Sequence, residues 1–145
     1  MKNQYELLSK LIAIASANFV GKLDKGGKPY ILHCLRVMDS VKHLGPEVMQ
    51  IAVAHDLVED TDVSLSFLKE QGFSDRVVEG IRDLTHDQSV SYDNYIKRLS
   101  YNRDAKEVKK ADLKDNSDIT RLKGLRKKDF ERLEKYNRAY QYLTD

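Results

Sequence analysis

Several residue types are scarce in this 145-residue chain, and each scarcity narrows what the protein can be. The single cysteine, Cys34, allows no internal disulfide and fits a reducing compartment such as the cytoplasm. No apolar run reaches the roughly eighteen residues of a membrane span, so none is expected. The first ten residues, MKNQYELLSK, lack the apolar stretch of a signal peptide. The net charge is only +2, which gives no general attraction for nucleic acid.

Glycine and proline are also rare, and apolar residues recur with the period of a helix nearly throughout. The glycine-rich segment GKLDKGGKPY predicts a loop, and Ser64 and Ser74 are expected to cap helices. The pattern predicts an all-α fold in which residues 1–145 form one domain of about seven to eight helices. The second helix is expected to end near Leu44, and the third to run from Pro46 to about Val58. Later helices are expected from Tyr92 to Leu99, from Ala105 to about Leu122 and from Lys128 to Leu143.

The segment AVAHDLVEDTDV places several acids and a histidine on a helix that also carries core residues. Positions three or four apart share a helix face, so His55 is predicted to lie beside Glu59, and Asp56 beside Asp60. Neighbouring carboxylates raise each other's pKa, which is unfavourable unless cations or a metal neutralise them. A His-Asp pair is nevertheless common by chance, and acids near a helix end are often simply solvated.

Two other predicted helices place a polar side chain on an apolar stripe. His33 interrupts the mostly apolar residues 30–37, and Asp112 shares a face with Val108 and Asn116. A lone buried histidine is usually a hydrogen-bonded core residue, whereas a buried carboxylate needs a partner because an isolated buried charge is unfavourable. Three helices that each carry such a group predict a divalent metal site, and these ligand types suit Mn, Fe or Zn.

The order His33, His55-Asp56 and Asp112 resembles the H…HD…D signature of the HD-domain metal-dependent phosphohydrolases. More narrowly, KPYILH, HDLVEDTDV and KKADLKDN are similar to the hydrolase domain of RelA/SpoT-type proteins and their small stand-alone relatives. Those proteins cleave the 3′-pyrophosphate from (p)ppGpp, a nucleotide of the stringent response, and the resemblance extends over residues 13–119. It implies an HD-domain helical bundle in which the two histidines and two aspartates bind a divalent metal, with Mn²⁺ expected and Fe or Zn as alternatives.

The same resemblance implies roles for four further residues. Glu59 and Asp60 match an acidic pair implicated in activating the attacking water. Asn116 matches an asparagine that contacts the sugar-phosphate of the substrate, and Lys25 matches a basic residue in the loop before the first histidine. Glu59 is the preferred general base because it lies one turn beyond His55, although the spacing does not separate it from Asp60.

Asp24 stands where these hydrolases usually carry an arginine that packs on the guanine ring. Since an aspartate cannot stack on a base and would repel phosphate, three hypotheses follow. The protein is a (p)ppGpp hydrolase, a phosphohydrolase for another nucleotide or phosphorylated metabolite, or a catalytically weak nucleotide-binding module. Glu59 and Asp60 speak against the third, because binding alone requires no base.

The remaining polar residues are interpreted as surface groups. His43 and His86 are predicted to be exposed. The basic stretch 106–128 is interleaved with Asp115 and Asp118 and lacks aromatic stacking partners, so a solvated helix face is expected rather than an RNA site. The expected partner is therefore a small phosphorylated nucleotide in the cytoplasm, with no nucleic acid or membrane, and the sequence does not indicate the oligomeric state.

Overall fold

The computed structural model describes residues 3–145; Met1 and Lys2, part of the segment without signal-peptide features, lie outside it. Within the described range the secondary structure is helical, apart from an isolated bridge between Leu23 and Pro29. The helices are α1 (Gln4–Asn18), α2 (Tyr30–Ser40), α3 (Pro46–Val53), α4 (Leu57–Asp60), α5 (Leu65–Glu70), α6 (Asp75–Leu84), α7 (Tyr92–Leu99), α8 (Arg103–Asn116) and α9 (Lys127–Thr144), with 3₁₀ turns at Lys42–Leu44 and Ile119–Arg121. The predicted all-α class is confirmed.

Local sequence signals set the start of several helices. The side chains of Ser64 and Ser74 accept hydrogen bonds from main-chain amides three residues further on, which confirms both predicted caps. Gly45 adopts a φ of 99°, a value that favours glycine, and Pro46 occupies the first turn of α3, where its missing amide is not needed. These signals place the start of α3 immediately after the break predicted from Gly45-Pro46.

Helix α3 is the central element of the fold. It contacts α1, α2, α6 and α8, and Ile51, Ala52 and Val53 are fully buried among them. Helix α6 approaches closely because Gly80 faces Ile51; a Cβ at Gly80 would lie only 2.5 Å from Ile51 Cδ1. Packing on four sides thus fixes the carboxyl end of α3, from which His55 and Asp56 follow.

The third predicted helix is divided, and this is the main departure from the sequence prediction. Helix α3 ends at Val53, and α4 begins only at Leu57. His55 Nδ1 bonds to the carbonyl of Ala52 at 2.7 Å, the carbonyl that would accept from the Asp56 amide in a continuous α-helix. His55 and Asp56 therefore lie in the turn between the two helices, and only Asp56, as the N-cap of α4, keeps a helical hydrogen bond to Asp60, at 3.0 Å.

Two other predicted helices are shorter than expected, because the last turn is 3₁₀ or irregular in each. Helix α2 ends at Ser40 instead of near Leu44, and α8 ends at Asn116 instead of near Leu122. Helix α7 has the predicted bounds. Across residues 3–145, no helix combines the length and apolar character required to cross a membrane.

Candidate active site

Four side chains from three parts of the fold converge at the base of a cleft. They are His33 of α2, His55 and Asp56 of the turn after α3, and Asp112 of α8. One nitrogen or oxygen atom from each lies within 4.8 Å of the corresponding atoms of the others. His33, His55 and Asp112 are 1–3% exposed, whereas the Asp56 side chain is 19% exposed, so the cluster is largely buried.

The two imidazole rings point the same nitrogen into the cluster. His33 Nε2 and His55 Nε2 lie 2.9 and 3.1 Å from Asp112 Oδ1, and His55 Nε2 lies 3.0 Å from Asp56 Oδ2. The outer nitrogens are engaged elsewhere: His33 Nδ1 with Asp115 Oδ2 at 2.6 Å, and His55 Nδ1 with the Ala52 carbonyl. Two inward nitrogens and two carboxylates form a donor set that fits a borderline divalent cation.

The charges of the cluster favour that cation. Burial would raise the pKa of Asp112, but Lys109 and the two histidines hold it well below its usual range. Burial opposes protonation of His55, yet Asp56 and Asp112 raise the pKa of its ring well above the usual value. The carboxylates thus attract positive charge strongly, and a bound metal would displace the ring protons, since metal ligands must be deprotonated.

Three further polar residues contact the two carboxylates of this cluster. Lys109 Nζ lies 2.9 Å from Asp112 Oδ2, and the Asn116 amide donates to Asp112 Oδ1 at 3.0 Å. The Tyr30 hydroxyl donates to Asp56 Oδ2. Lys109 and Tyr30 were not predicted from the sequence. Asn116 lines the cleft as well, but its amide is directed to Asp112.

The acidic pair of α4 is split between two different partners. Glu59 Oε1 accepts a 2.6 Å hydrogen bond from the main-chain amide of His86, whereas Asp60 Oδ2 forms a 2.9 Å ion pair with Lys22 Nζ. Burial, and then the charges of Asp56 and Asp60, raise the pKa of Glu59, although the His86 amide opposes them. Both carboxylates line the cleft, as the sequence prediction requires.

His86 was predicted to be a surface residue, and that prediction is wrong. Its side chain is half-buried, its ring stacks on Tyr95 with a centroid distance of 4.6 Å, and Nε2 donates to the Val90 carbonyl at 2.7 Å. These contacts hold the loop whose amide binds Glu59. The polar stretch HDQSVS gave no sign of the contacts with Glu59 and Tyr95, because these partners lie on α4 and α7.

Asp24 also differs from expectation, since its carboxylate is already paired within the protein although the residue lines the cleft. Its Oδ1 accepts from the amides of Gly26 and Lys28, both at 2.9 Å, and its Oδ2 pairs with Arg121 at 3.0 Å. Burial raises the pKa of Asp24, but these bonds outweigh it and leave the pKa below its usual value. Arg121 therefore offsets the charge of the Asp24 carboxylate, which weakens the repulsion of phosphate expected from the sequence.

Asp115 also differs from expectation, since the stretch that contains it was assigned to a solvated helix face. Its side chain is only 15% exposed and binds His33, Arg36 and Arg121. Burial raises its pKa, but the hydrogen bonds from His33 and Arg36 dominate and lower the pKa to about 2. Asp115 is thus an anion placed directly behind the His33 ring.

The opposite side of the cleft is cationic. The cleft has a volume of about 550 Å³, and Lys25, Arg132 and Lys135 line it from the loop before α2 and from α9. Burial, together with the neighbouring positive charges, lowers the pKa values of Lys25 and Lys135. Lys135 Nζ lies 4.5 Å from the centre of the Tyr92 ring. The cleft therefore combines a buried acidic and imidazole cluster with a rim that attracts anions.

No protein-family model matches this chain. Three relatives are similar to parts of it. A probable GTP pyrophosphokinase of Mycobacterium leprae (strain TN) is 32% identical over 57% of this chain and 11% of its own length. A guanosine-3′,5′-bis(diphosphate) 3′-pyrophosphohydrolase of Aquifex aeolicus (strain VF5) is 36% identical over 47% of this chain and 10% of its own length. The corresponding MESH1 enzyme of Danio rerio is 38% identical over 46% of this chain and 39% of its own length. The matched part is about a tenth of the first two proteins and about two fifths of the third.

The fold has a close structural counterpart. A metazoan ortholog of SpoT, described as hydrolysing ppGpp, superposes with a TM-score of 0.75 at 21% sequence identity, over 94% of this chain and 84% of that one. This similarity shows that the chain shares the fold of that SpoT ortholog. Together with the three relatives, it confirms the resemblance that the sequence motifs predicted.

Proposed function

We propose that this protein is a metal-dependent phosphohydrolase that removes the 3′-pyrophosphate from (p)ppGpp or a related guanosine nucleotide. The observation that carries the proposal is the convergence of His33, His55, Asp56 and Asp112 at the base of a cleft with an anion-attracting rim. The named activities of the Aquifex aeolicus and Danio rerio relatives support the same reaction. A role in the stringent response, in the cytoplasm, is part of the proposal.

The four converging side chains are the proposed metal ligands, with Mn²⁺ as the expected ion and Fe or Zn as alternatives. A divalent cation in such a site lowers the pKa of water and polarises phosphoryl oxygens. The protein itself supplies fixed ligand geometry, because His33 and His55 are each held by a second hydrogen bond at Nδ1. It also buries three of the four ligands, His33, His55 and Asp112, which strengthens their interactions with a cation.

Glu59 is the proposed general base. Its raised pKa suits proton abstraction near neutral pH, since a base works best when its pKa approaches the working pH. Asp60 is bound to Lys22 at 2.9 Å, and Lys22 also lies 4.5 Å from the centre of the Tyr30 ring. We therefore assign Asp60 to holding Lys22 on this side of the cleft. The two acids, which their spacing in the sequence did not separate, thus have different proposed roles.

Lys25 and Asn116 are the proposed substrate contacts, as the family resemblance implies. Lys25 faces the cleft beside Arg132 and Lys135, where a phosphate would relieve the repulsion among three cations. Asn116 lies one turn beyond Asp112, so a bound sugar-phosphate would be near the metal ligands. Because Arg121 neutralises Asp24, no free carboxylate opposes the substrate in this loop.

One assay separates the competing functions. The purified protein with Mn²⁺ is given ppGpp, pppGpp and a panel of other nucleotides, beside Glu59→Gln and Asp60→Asn, with exposed Glu79→Gln on α6 as the matched control. We expect pyrophosphate release from ppGpp, a loss of roughly 10²–10⁴-fold in Glu59→Gln, and a smaller loss in Asp60→Asn. Turnover of other nucleotides alone would establish the second hypothesis, and tight binding without products the third.

The pH dependence tests the base directly. Glu59 must be deprotonated to act, and its pKa is raised, so kcat/KM is expected to increase as pH rises through a value above that of an ordinary glutamate. Below that value the rate should fall about tenfold per pH unit. An acidic limb that persists unchanged in the residual activity of Glu59→Gln would assign the base to another group.

A further inference from the structure

The two candidate ligand histidines are oriented by different outer partners. His55 Nδ1 donates to a neutral main-chain carbonyl, that of Ala52, at 2.7 Å. His33 Nδ1 instead meets a carboxylate, Asp115 Oδ2, at 2.6 Å. A carboxylate is the stronger acceptor, because a hydrogen bond to an ionised group is about twice as strong as a neutral one. The orientation of His33 thus depends on one further side chain.

Two guanidinium groups hold Asp115 in place. Arg36, one turn after His33 on α2, donates through Nε at 2.9 Å and Nη2 at 3.2 Å. Arg121, in the 3₁₀ turn after α8, donates through Nη1 at 2.8 Å. Both oxygens of Asp115 are therefore occupied, and the carboxylate has a fixed direction toward the His33 ring.

The position of Asp115 excludes a direct role in binding substrate. It does not belong to the residues that line the cleft, although its neighbours Asp112 and Asn116 do. Its distance to Nδ1 places it on the outer side of the His33 ring, opposite the nitrogen that faces Asp112. Asp115 can therefore act on the chemistry only through its neighbours: directly through the His33 ring, or through Arg121, which lines the cleft and also binds Asp24.

The geometry points to Asp115 as a positioning residue that fixes His33 with its proton on Nδ1 and its Nε2 free to bind metal. Arg36 and Arg121 complete this arrangement by holding the carboxylate. The inference rests on the proposed metal site. Outer partners of this kind typically contribute 10–100-fold to metal affinity, since they set the tautomer and the ring orientation.

The test compares two aspartates of the same helix. Asp115→Asn removes the charge but preserves the shape, and Asp104→Asn is the control. Asp104 is 18% exposed, against 15% for Asp115, and both its oxygens bind Arg76, at 2.7 and 3.0 Å. Thermal melts check that both variants fold. Titration calorimetry with Mn²⁺ is expected to show a 10–100-fold weaker Kd for Asp115→Asn and no change for Asp104→Asn.

A spectroscopic readout separates orientation from simple loss of negative charge. Nitrogen-15 NMR of the Zn²⁺-loaded protein should show His33 with a protonated Nδ1 and a metal-bound Nε2. In Asp115→Asn the amide can accept or donate, so the His33 signals should shift while those of His55 stay in place. Asp115→Glu, which keeps a carboxylate, should bind Mn²⁺ more tightly than Asp115→Asn does.

Unchanged Mn²⁺ affinity in Asp115→Asn, or a His33 ring that binds metal through Nδ1, would overturn the inference. A wild-type protein that binds Mn²⁺ with the expected tautomer but does not hydrolyse ppGpp would refute the proposed reaction alone. If the wild-type protein binds no divalent metal, both the inference and the proposed function are wrong. The three outcomes are therefore distinguishable.

Discussion

The two ends of the cleft differ in whether their charged groups have ion-pair or hydrogen-bond partners within the protein. At the buried end, His33, His55, Asp56 and Asp112 contact one another and are further held by groups of the same chain. At the open end, Lys25 and Lys135 form no ion pair within residues 3–145. Arg132 does pair with Asp129.

This contrast separates two tasks. A preorganised cluster binds a cation with little rearrangement, because the cost of ordering its ligands is met during folding. Lysines that lack a partner retain their attraction for a phosphate that arrives later. The buried end is accordingly the proposed metal site, and the open end the proposed site for the substrate anion. Mutations at the two ends should therefore affect different measured quantities.

The largest expected effect is at the buried end. His33→Ala removes an inward nitrogen, so we expect Mn²⁺ affinity and ppGpp turnover to fall by at least ~100-fold, because loss of a ligand's outer partner alone can cost that much. Calorimetry and pyrophosphate release measure the two effects. His43→Ala, which removes an exposed histidine, should leave both unchanged. Equal losses in the two variants would show that His33 is not a ligand.

A smaller effect is expected at the open end. Lys25→Ala and Lys135→Ala should each raise KM for ppGpp by roughly 10–100-fold, since a hydrogen bond to a charged group contributes about 1.5–3 kcal/mol. Metal affinity should not change. Lys128→Ala, an exposed lysine on α9, is the matched control. If the lysine variants weaken Mn²⁺ binding instead of raising KM, the two ends of the cleft are not separate sites.

The sequence predicted the buried end much better than its surroundings. The helical period predicted an all-α fold, and the resemblance of His33, His55-Asp56 and Asp112 to the H…HD…D signature grouped the four side chains that the structure brings together. These residues are recognisable because each is a polar group at a position where the pattern requires an apolar one. That signal is local in the sequence, so it can be recognised without knowledge of the tertiary structure.

The contacts of Asp115 with His33, of Asp24 with Arg121 and of His86 with Glu59 were missed because these partners are distant in sequence. The bond between Arg121 and Asp24 joins residues 97 positions apart, and the bond between His33 and Asp115 joins residues 82 apart. The spacing of apolar residues along the sequence does not indicate pairs that are so far apart. One signal was nevertheless available locally, since an aspartate two residues before a glycine often accepts from the following amides, as Asp24 does.

The smallest expected effect concerns the loop that carries Lys25. Asp24→Asn removes the charge that binds Arg121, so we expect the free energy of unfolding at pH 7 to fall by about 1–2 kcal/mol. The folded pKa of Asp24 is lowered, so its contribution is complete above the unfolded value of about 4 and is lost as pH falls through the folded pKa. Urea unfolding of both proteins should therefore differ at pH 7 and converge in acid. Asp93→Asn, whose exposed carboxylate lies 3.7 Å from Arg138, should change stability by less than ~0.5 kcal/mol at either pH. A difference for Asp24→Asn that is the same at neutral and acidic pH would mean that the carboxylate stabilises the loop by its shape and not by its charge.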